Sequence, residues 1–293
     1  MRPVYVHASG SYGTRVTEAP ADLKAALREQ TGHHIRRTNR FIDLALLGGH
    51  RCVQDRDLPS STGIYLATGQ GDAASSAEMV RRSHRDGITP MPFEFINVSS
   101  NAAGFTLAQS LGLDHVNLMI SRRRWSFEMS LQLAMLDLAA SQCEMVLLGA
   151  VDECAMPLAW HRERLGLAVE TAVGEGSHWF LLSREPAHAL AEIHPPVFLK
   201  DRAALERLLA EHGKSVSHSS TGWNLAQEAD GDNDLPGQQL DYLEQAGYYD
   251  TNVGAGLDRF LELAAPGDRW LHVEAEYGSG EQAQYAVLEV VRA

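Results

Sequence analysis

Residues Asn117–Val151 read NLMISRRRWSFEMSLQLAMLDLAASQCEMVLLGAV, and their reading decides the fold class. Leu118-Met119-Ile120 and Met145–Val151 are apolar runs of strand length and composition. Between them, Trp125–Ala140 puts apolar side chains on nearly every face of a helix, the pattern of a helix buried all round inside a layered protein. Polar side chains on such a helix, Glu128 and Gln132, then need partners. The helix starts from a polar turn, Ser121-Arg122-Arg123-Arg124, and a helix N-terminus favours an anion, so an activated nucleophile belongs there. The turn holds no cysteine, and neither Ser121 nor Ser126 has a base evident in the sequence.

The same alternation extends on both sides. Asn39–Val53 has helical spacing interrupted by Gly48-Gly49, Ile64–Ala67 is a strand between Gly63 and Gly69, and Ser75–His84 is a helix with Arg81, Arg82 and Arg85 on or near its outer face. Trp179–Ser183 is a further apolar strand. Strands that alternate with helices and are apolar on both faces imply an α/β layered fold with a covered sheet. After Glu185 the pattern thins. Arg202–His212 is an Ala/Leu/Glu helix, and Gln227–Asp241, with Glu228, Asp230, Asp232, Asp234 and Asp241, is a surface loop whose offsets do not fit an EF-hand. Leu271–Glu276 and Tyr285–Val291 are strand-like runs around Tyr277-Gly278-Ser279-Gly280. No linker divides the chain, so residues 1–293 are one domain with a dense half, 1–185, and a thinner half, 186–293.

Composition narrows the function classes. The chain has 293 residues, 44% of them hydrophobic, enough for a sizeable core. Its 25 Lys+Arg against 38 Asp+Glu give a net charge of −13, which argues against nucleic acid as the main partner. Cys52, Cys143 and Cys154 form no CxxC pair and no disulfide framework. No window reaches the roughly 18 apolar residues of a membrane span, and MRPVYVHASGSYGTRV lacks the apolar stretch of a secretory signal. The expectation is a soluble cytoplasmic protein.

Other motifs are weak. Gly69–Ala74 (GQGDAA) fits GxGxxA between a strand and a helix, the context of a dinucleotide pyrophosphate, yet the acidic residue expected about 20 positions on falls near Asp86 or Glu94, at no clear strand end. The 13 histidines form no HExxH, and the side chains of His33 and His34 diverge, so no metal site is expected. No GxSxG elbow is present.

Several strings in order resemble the β-ketoacyl-ACP synthases of the thiolase superfamily. Pro90–Gly104 (PMPFEFINVSSNAAG) resembles the segment before their active site, and the strand–turn–helix after it their nucleophile elbow. Leu147–Glu153 (LLGAVDE) is similar to their GGV/DE strand end, Gly174-Glu175-Gly176-Ser177 to their GEGA turn, and Tyr277–Glu281 (YGSGE) to their FGFGG turn. Arg36-Arg37, the helix to Val53 and Gly63–Asp72 follow the family's opening order, so the resemblance covers Arg36–Ser183 and the last few dozen residues. It implies a thiolase-like α-β-α-β-α fold, shortened between Glu185 and Tyr248.

The departures fall on the catalytic positions. The family's cysteine corresponds to about Arg124 and its second histidine to about Tyr248; His218-Ser219-Ser220-Thr221-Gly222 is a faint counterpart of the first histidine's motif, and Ser279 stands at the aromatic gate. Arginine stays protonated and cannot carry an acyl group. The resemblance therefore implies no intrinsic condensing activity and a chain-length-factor-like subunit of a type II polyketide or aryl polyene system, paired with an active ketosynthase whose tunnel it shapes. Phe93, Phe95, Asn101, Arg122, Arg123, Arg124 and Trp125 are the expected interface or tunnel residues. No cofactor is expected on the chain itself; the substrate would ride on the phosphopantetheine of an acyl carrier protein, docked mainly through the partner because this chain is acidic. Three other readings stay open: an acyltransferase or thioesterase using Ser121, Ser126 or Cys154, a nucleotide-dependent enzyme using Gly69–Ala74, and a scaffold that only stabilises its partner.

Overall fold

The computed structural model describes residues 1–18, 20–32, 37–54, 56–99, 101–212, 215–222, 235–277 and 283–293. The dense half supplies β1 (Val4–Val16), α1 (Lys24–Thr31), α2 (Arg40–Val53), β2 (Gly63–Thr68), α3 (Ala73–Arg85), α4 (Pro92–Asn97), α5 (Ala102–Leu111), β3 (Asn117–Ser121), α6 (Ser126–Ala139), β4 (Val146–Asp152), α7 (Leu158–Leu165) and β5 (Val173–Ser183). The thinner half supplies β6 (Ala191–Ile193), β7 (Val197–Leu199), α8 (Arg202–His212), β8 (His218–Thr221), β9 (Gln238–Gln239), α9 (Leu243–Ala246), α10 (Val253–Leu263), β10 (Arg269–Tyr277) and β11 (Ala283–Arg292).

Among the described residues the strands run in the order β3-β2-β4-β5-β1-β6-β11-β10-β8-β9, with β7 also on β11. The β2 strand is parallel to β3 and β4, whereas β5 is antiparallel to β4 and β1 antiparallel to β5. Short β6 joins the halves, pairing with β1 on one side and β11 on the other.

Side-chain alternation along these strands builds the layers. Tyr65 and Ala67 of β2, Leu148 and Ala150 of β4, and Phe180 and Leu182 of β5 face a core shared with Phe127 and Leu131 of α6, Leu257 and Phe260 of α10, and Trp270, Leu288 and Val290 of the C-terminal strands. Ile64, Leu66, Leu147, Trp179 and Leu181 point the other way, onto α2 and α5. Leu271, Val273 and Val287 cover the remaining face with Leu205 of α8. Helices thus flank each sheet half and fill the space between them, giving the expected α-β-α-β-α layering. Two helix starts are fixed by their own caps: Asn39 Oδ1 accepts from Ile42 N at 3.0 Å, and Asp72 Oδ1 from Ser75 N at 2.9 Å.

Two expectations change. Leu133 and Leu136 are 38% and 48% exposed, so α6 is not buried all round and keeps one apolar edge in solvent. The β5 strand begins at Val173, not Trp179, because its polar Glu175, Ser177 and His178 are buried as completely as its apolar end. The first strand, β1, carries too many small and polar residues to show an apolar run. His33, His34, Arg36, the acidic residues Glu228, Asp230, Asp232 and Asp234, and Gly278–Glu281 with Ser279 lie outside the described residues. Among the described residues no helix is long and apolar enough to cross a membrane.

Candidate functional site

The turn from β3 into α6 is held in an uncommon backbone conformation. Arg123 and Trp125 have φ of 61° and 60°, the left-handed region that bulky residues rarely occupy. Local bonds fix it: Arg123 N donates to Gly69 O at 3.1 Å, Ser121 Oγ donates to the same carbonyl at 3.0 Å, and Ser126 Oγ accepts from Arg122 N at 2.9 Å and donates to Arg123 O at 3.0 Å. Both candidate serines therefore serve the turn.

The arginines of the turn meet carboxylates of β10. Arg122 Nη2 lies 2.8 Å from Glu276 Oε2, and its guanidinium stacks over Trp125 at 4.6 Å. Trp125 in turn packs against Phe198, with ring centroids 5.6 Å apart. Arg124 Nη1 stands 3.6 Å from Glu274 Oε1, an ion pair without a direct hydrogen bond. Gly222, after β8, lies against the Glu274 carboxylate so closely that any side chain there would collide with it.

Glu274 is the hub of a larger polar cluster. His272 Nε2 lies 3.7 Å from Glu274 Oε2, while His272 Nδ1 is 3.0 Å from Ser220 Oγ. Ser220 Oγ also accepts from Trp270 Nε1 at 3.0 Å. Glu128 of α6 is fully buried; burial first, and the Glu274 charge second, push its carboxyl up to about 8. The same two causes hold the Tyr242 phenol well above its ordinary value. Tyr248, the expected second-histidine position, donates from Oη to Asp250 Oδ1 at 3.3 Å. Asp250 is raised by burial against the opposing pull of Arg124 and Arg123. The structure so brings Arg122, Arg123, Arg124, Trp125 and Tyr248 into one neighbourhood. It does not bring His218 there: that residue opens β8 beside Asp268, at 3.4 Å, three strand steps of about 3.3 Å from Thr221.

Among the described residues this arrangement offers no thiolate and no pair of histidines for condensation. Phe93, Phe95 and Asn101 sit apart from the turn, on and after α4, with Phe93 and Phe95 44% and 66% exposed.

No family model and no curated protein matches the chain. Solved structures do. The ishigamide ketosynthase/chain length factor superposes with a TM-score of 0.78 at 18% identity over 99% of both chains. The complex of a type II polyketide synthase acyl-carrier protein with its ketosynthase bound to the hexaketide gives 0.72 at 13% identity over 100% of both. The chain has a thiolase-like ketosynthase fold. At these identities the likeness is one of backbone, so the site is argued from its own residues.

Within this ketosynthase fold the other enzymatic readings lose support. Cys154 is 1% exposed and burial pushes its thiol up to about 12, so it is an inert thiol. The Gly69–Ala74 turn does join a strand to a helix, but carboxylates already occupy its donors. Asp152 Oδ1 accepts from Gly69 N at 2.9 Å and Thr68 Oγ1 at 2.8 Å, Asp72 caps α3, and Glu153 Oε1 accepts from Ala74 N at 2.8 Å. A pyrophosphate would meet these carboxyl groups where it needs bare N–H groups, and Asp250 lies where a side chain on Gly69 would go. Among the described residues no group of three or more His, Cys, Asp or Glu is arranged to hold a metal.

His272, Glu274, Glu128 and Tyr242 were not singled out by sequence reasoning. One signal was there: His272, Glu274 and Glu276 alternate on β10, so three ionisable side chains share one face of a strand whose other face is apolar.

Proposed function

We propose that this chain is the non-catalytic, chain-length-factor-like half of a ketosynthase heterodimer in a type II polyketide or aryl polyene system. The observation that carries the reading is Arg124 at the elbow, paired with Glu274 where a condensing subunit needs a free thiolate. The acyl group would then be carried by the phosphopantetheine of an acyl carrier protein and elongated on the partner's cysteine, in the cytoplasm. An exposed apolar surface supports a partner. Phe93, Phe95, Ile96 and Phe105 of α4 and α5, and Leu118 of edge strand β3, are 40–66% exposed, more apolar surface than single scattered residues explain. The elbow arginines would contribute to the tunnel mouth, and the stacking of the Arg122 guanidinium on Trp125 supports that role.

The test is reconstitution with the ketosynthase encoded nearest to it, an acyl carrier protein and malonyl units. The chain alone is expected to condense nothing, and the pair to elongate. A size-changing apolar substitution, Phe93→Leu, should change product length while the pair still assembles, which separates a tunnel-shaping subunit from a scaffold. Condensation by the chain alone would overturn the reading.

A further inference from the structure

Where β1 starts beside the end of β5, a cavity of about 590 Å³ opens against the C-terminal turn of α6, within the size range of small-molecule sites. Val4, Met135 and Ala139 give it an apolar floor, and its charged residues are Arg2, Arg184 and Glu185. Two guanidiniums against one carboxylate leave a positive surplus, on a chain whose own net charge is −13. Among the described residues neither arginine forms an ion pair with a carboxylate. Arg184 is held to the α6 side by a bond from Nη2 to Ser141 Oγ at 3.2 Å, which leaves its other N–H donors for a ligand. Glu185 belongs to the other side of the sheet. Its N donates to Ser183 Oγ at 3.0 Å, and the field of its carboxylate reaches His7, whose Nε2 lies 2.8 Å from the same hydroxyl. Val6 and Leu182, the strand neighbours of His7 and Ser183, point the opposite way, into the core that holds Met135.

We propose that this cavity binds a phosphate monoester with a small apolar body, the body on Val4, Met135 and Ala139 and the phosphate between Arg2 and Arg184. Two guanidinium forks call for more acceptor oxygens than one carboxylate holds, and a phosphate monoester offers three at a charge of about −2. The inference does not rest on the heterodimer reading, because no residue of the cavity belongs to the elbow or to the apolar surface of α4, α5 and β3.

Calorimetric titration tests it on the chain as purified, alone or with a bound ketosynthase subunit. The probes are α-naphthyl phosphate, α-naphthylacetate and inorganic phosphate. Naphthyl phosphate is expected to saturate one site. Naphthylacetate, the same ring with a single carboxylate, should bind at least about fivefold more weakly, and inorganic phosphate also at least about fivefold more weakly for want of the apolar body. Arg2→Gln and Arg184→Gln should each weaken naphthyl phosphate roughly tenfold by removing charged hydrogen bonds, both at unchanged Tm because the two side chains are exposed. Should Arg184→Gln lower the Tm by releasing Ser141, Arg2→Gln carries the comparison. Equal binding of naphthylacetate or of inorganic phosphate, undiminished binding in the variants, or no saturation below about 1 mM naphthyl phosphate would each overturn the proposal.

Discussion

Arg124 and Glu274 depend on each other, since each is mostly buried and neither has another full counter-charge within 3.6 Å. Arg124→Ala should therefore cost about 1–3 kcal/mol by leaving Glu274 an uncompensated buried acid. Denaturant titration checks this, and Glu274→Gln in the same chain should recover most of the loss. Restoring the thiol alone has a different expected outcome. Arg124→Cys should not generate condensing activity, because Tyr248 stands at one expected histidine position and His218 is at the wrong end of β8. An acylation and elongation assay of the lone variant checks it. Glu128 gives a pH signature. Its carboxyl sits at about 8 in the fold against about 4.5 in the unfolded chain, so the folded state keeps a proton that the unfolded state releases. Stability from this group is at its maximum below pH about 4.5 and falls as pH rises through about 8. Glu128→Gln, always neutral, should match the wild-type Tm near pH 5 and exceed it increasingly toward pH 9, in differential scanning fluorimetry.

At the scale of elements, α4 and α6 present their apolar residues in opposite senses to a solvated helix. Phe95 at 66% exposure and Leu136 at 48% are accounted for if another chain covers them. Phe95→Asp should leave the Tm of the isolated chain within about a degree, since the residue is 66% exposed, yet weaken a partner at least tenfold by placing a charge in an apolar contact; differential scanning fluorimetry reads the first effect and surface plasmon resonance the second. The α3 helix makes a second prediction. With Asp72, Asp152 and Glu153 occupying the donors of the Gly69 turn, NAD(P) should give no thermal shift, and Asp72→Ala should cost about 1 kcal/mol for the lost cap.

Across the whole molecule, what was legible in the sequence follows burial. Strands β2 and β4 lie apolar on both faces, so their runs stand out, and the helix between β3 and β4 is bracketed by polar turns. The layered α/β class and the order of the dense half were readable for that reason. The β1 strand was not, because it runs through Ser9, Gly10, Ser11 and Gly13 and takes its place from an eleven-residue ladder with β5. The polar half of β5 was hidden by the same cause, as Glu175 is buried by pairing with Arg40, a partner 135 residues away. At the site, the elbow and its arginines were visible as a local string, whereas their counter-charges arrive from β10, about 150 residues later, and only tertiary structure joins them.

The central claim is that this ketosynthase-fold chain works as the non-catalytic half of a pair. Native mass spectrometry of the chain co-expressed with the ketosynthase encoded nearest to it tests that most directly. The account predicts a one-to-one complex, with the chain poorly soluble or self-associated when expressed alone. A well-behaved homodimer that ignores the ketosynthase would contradict it.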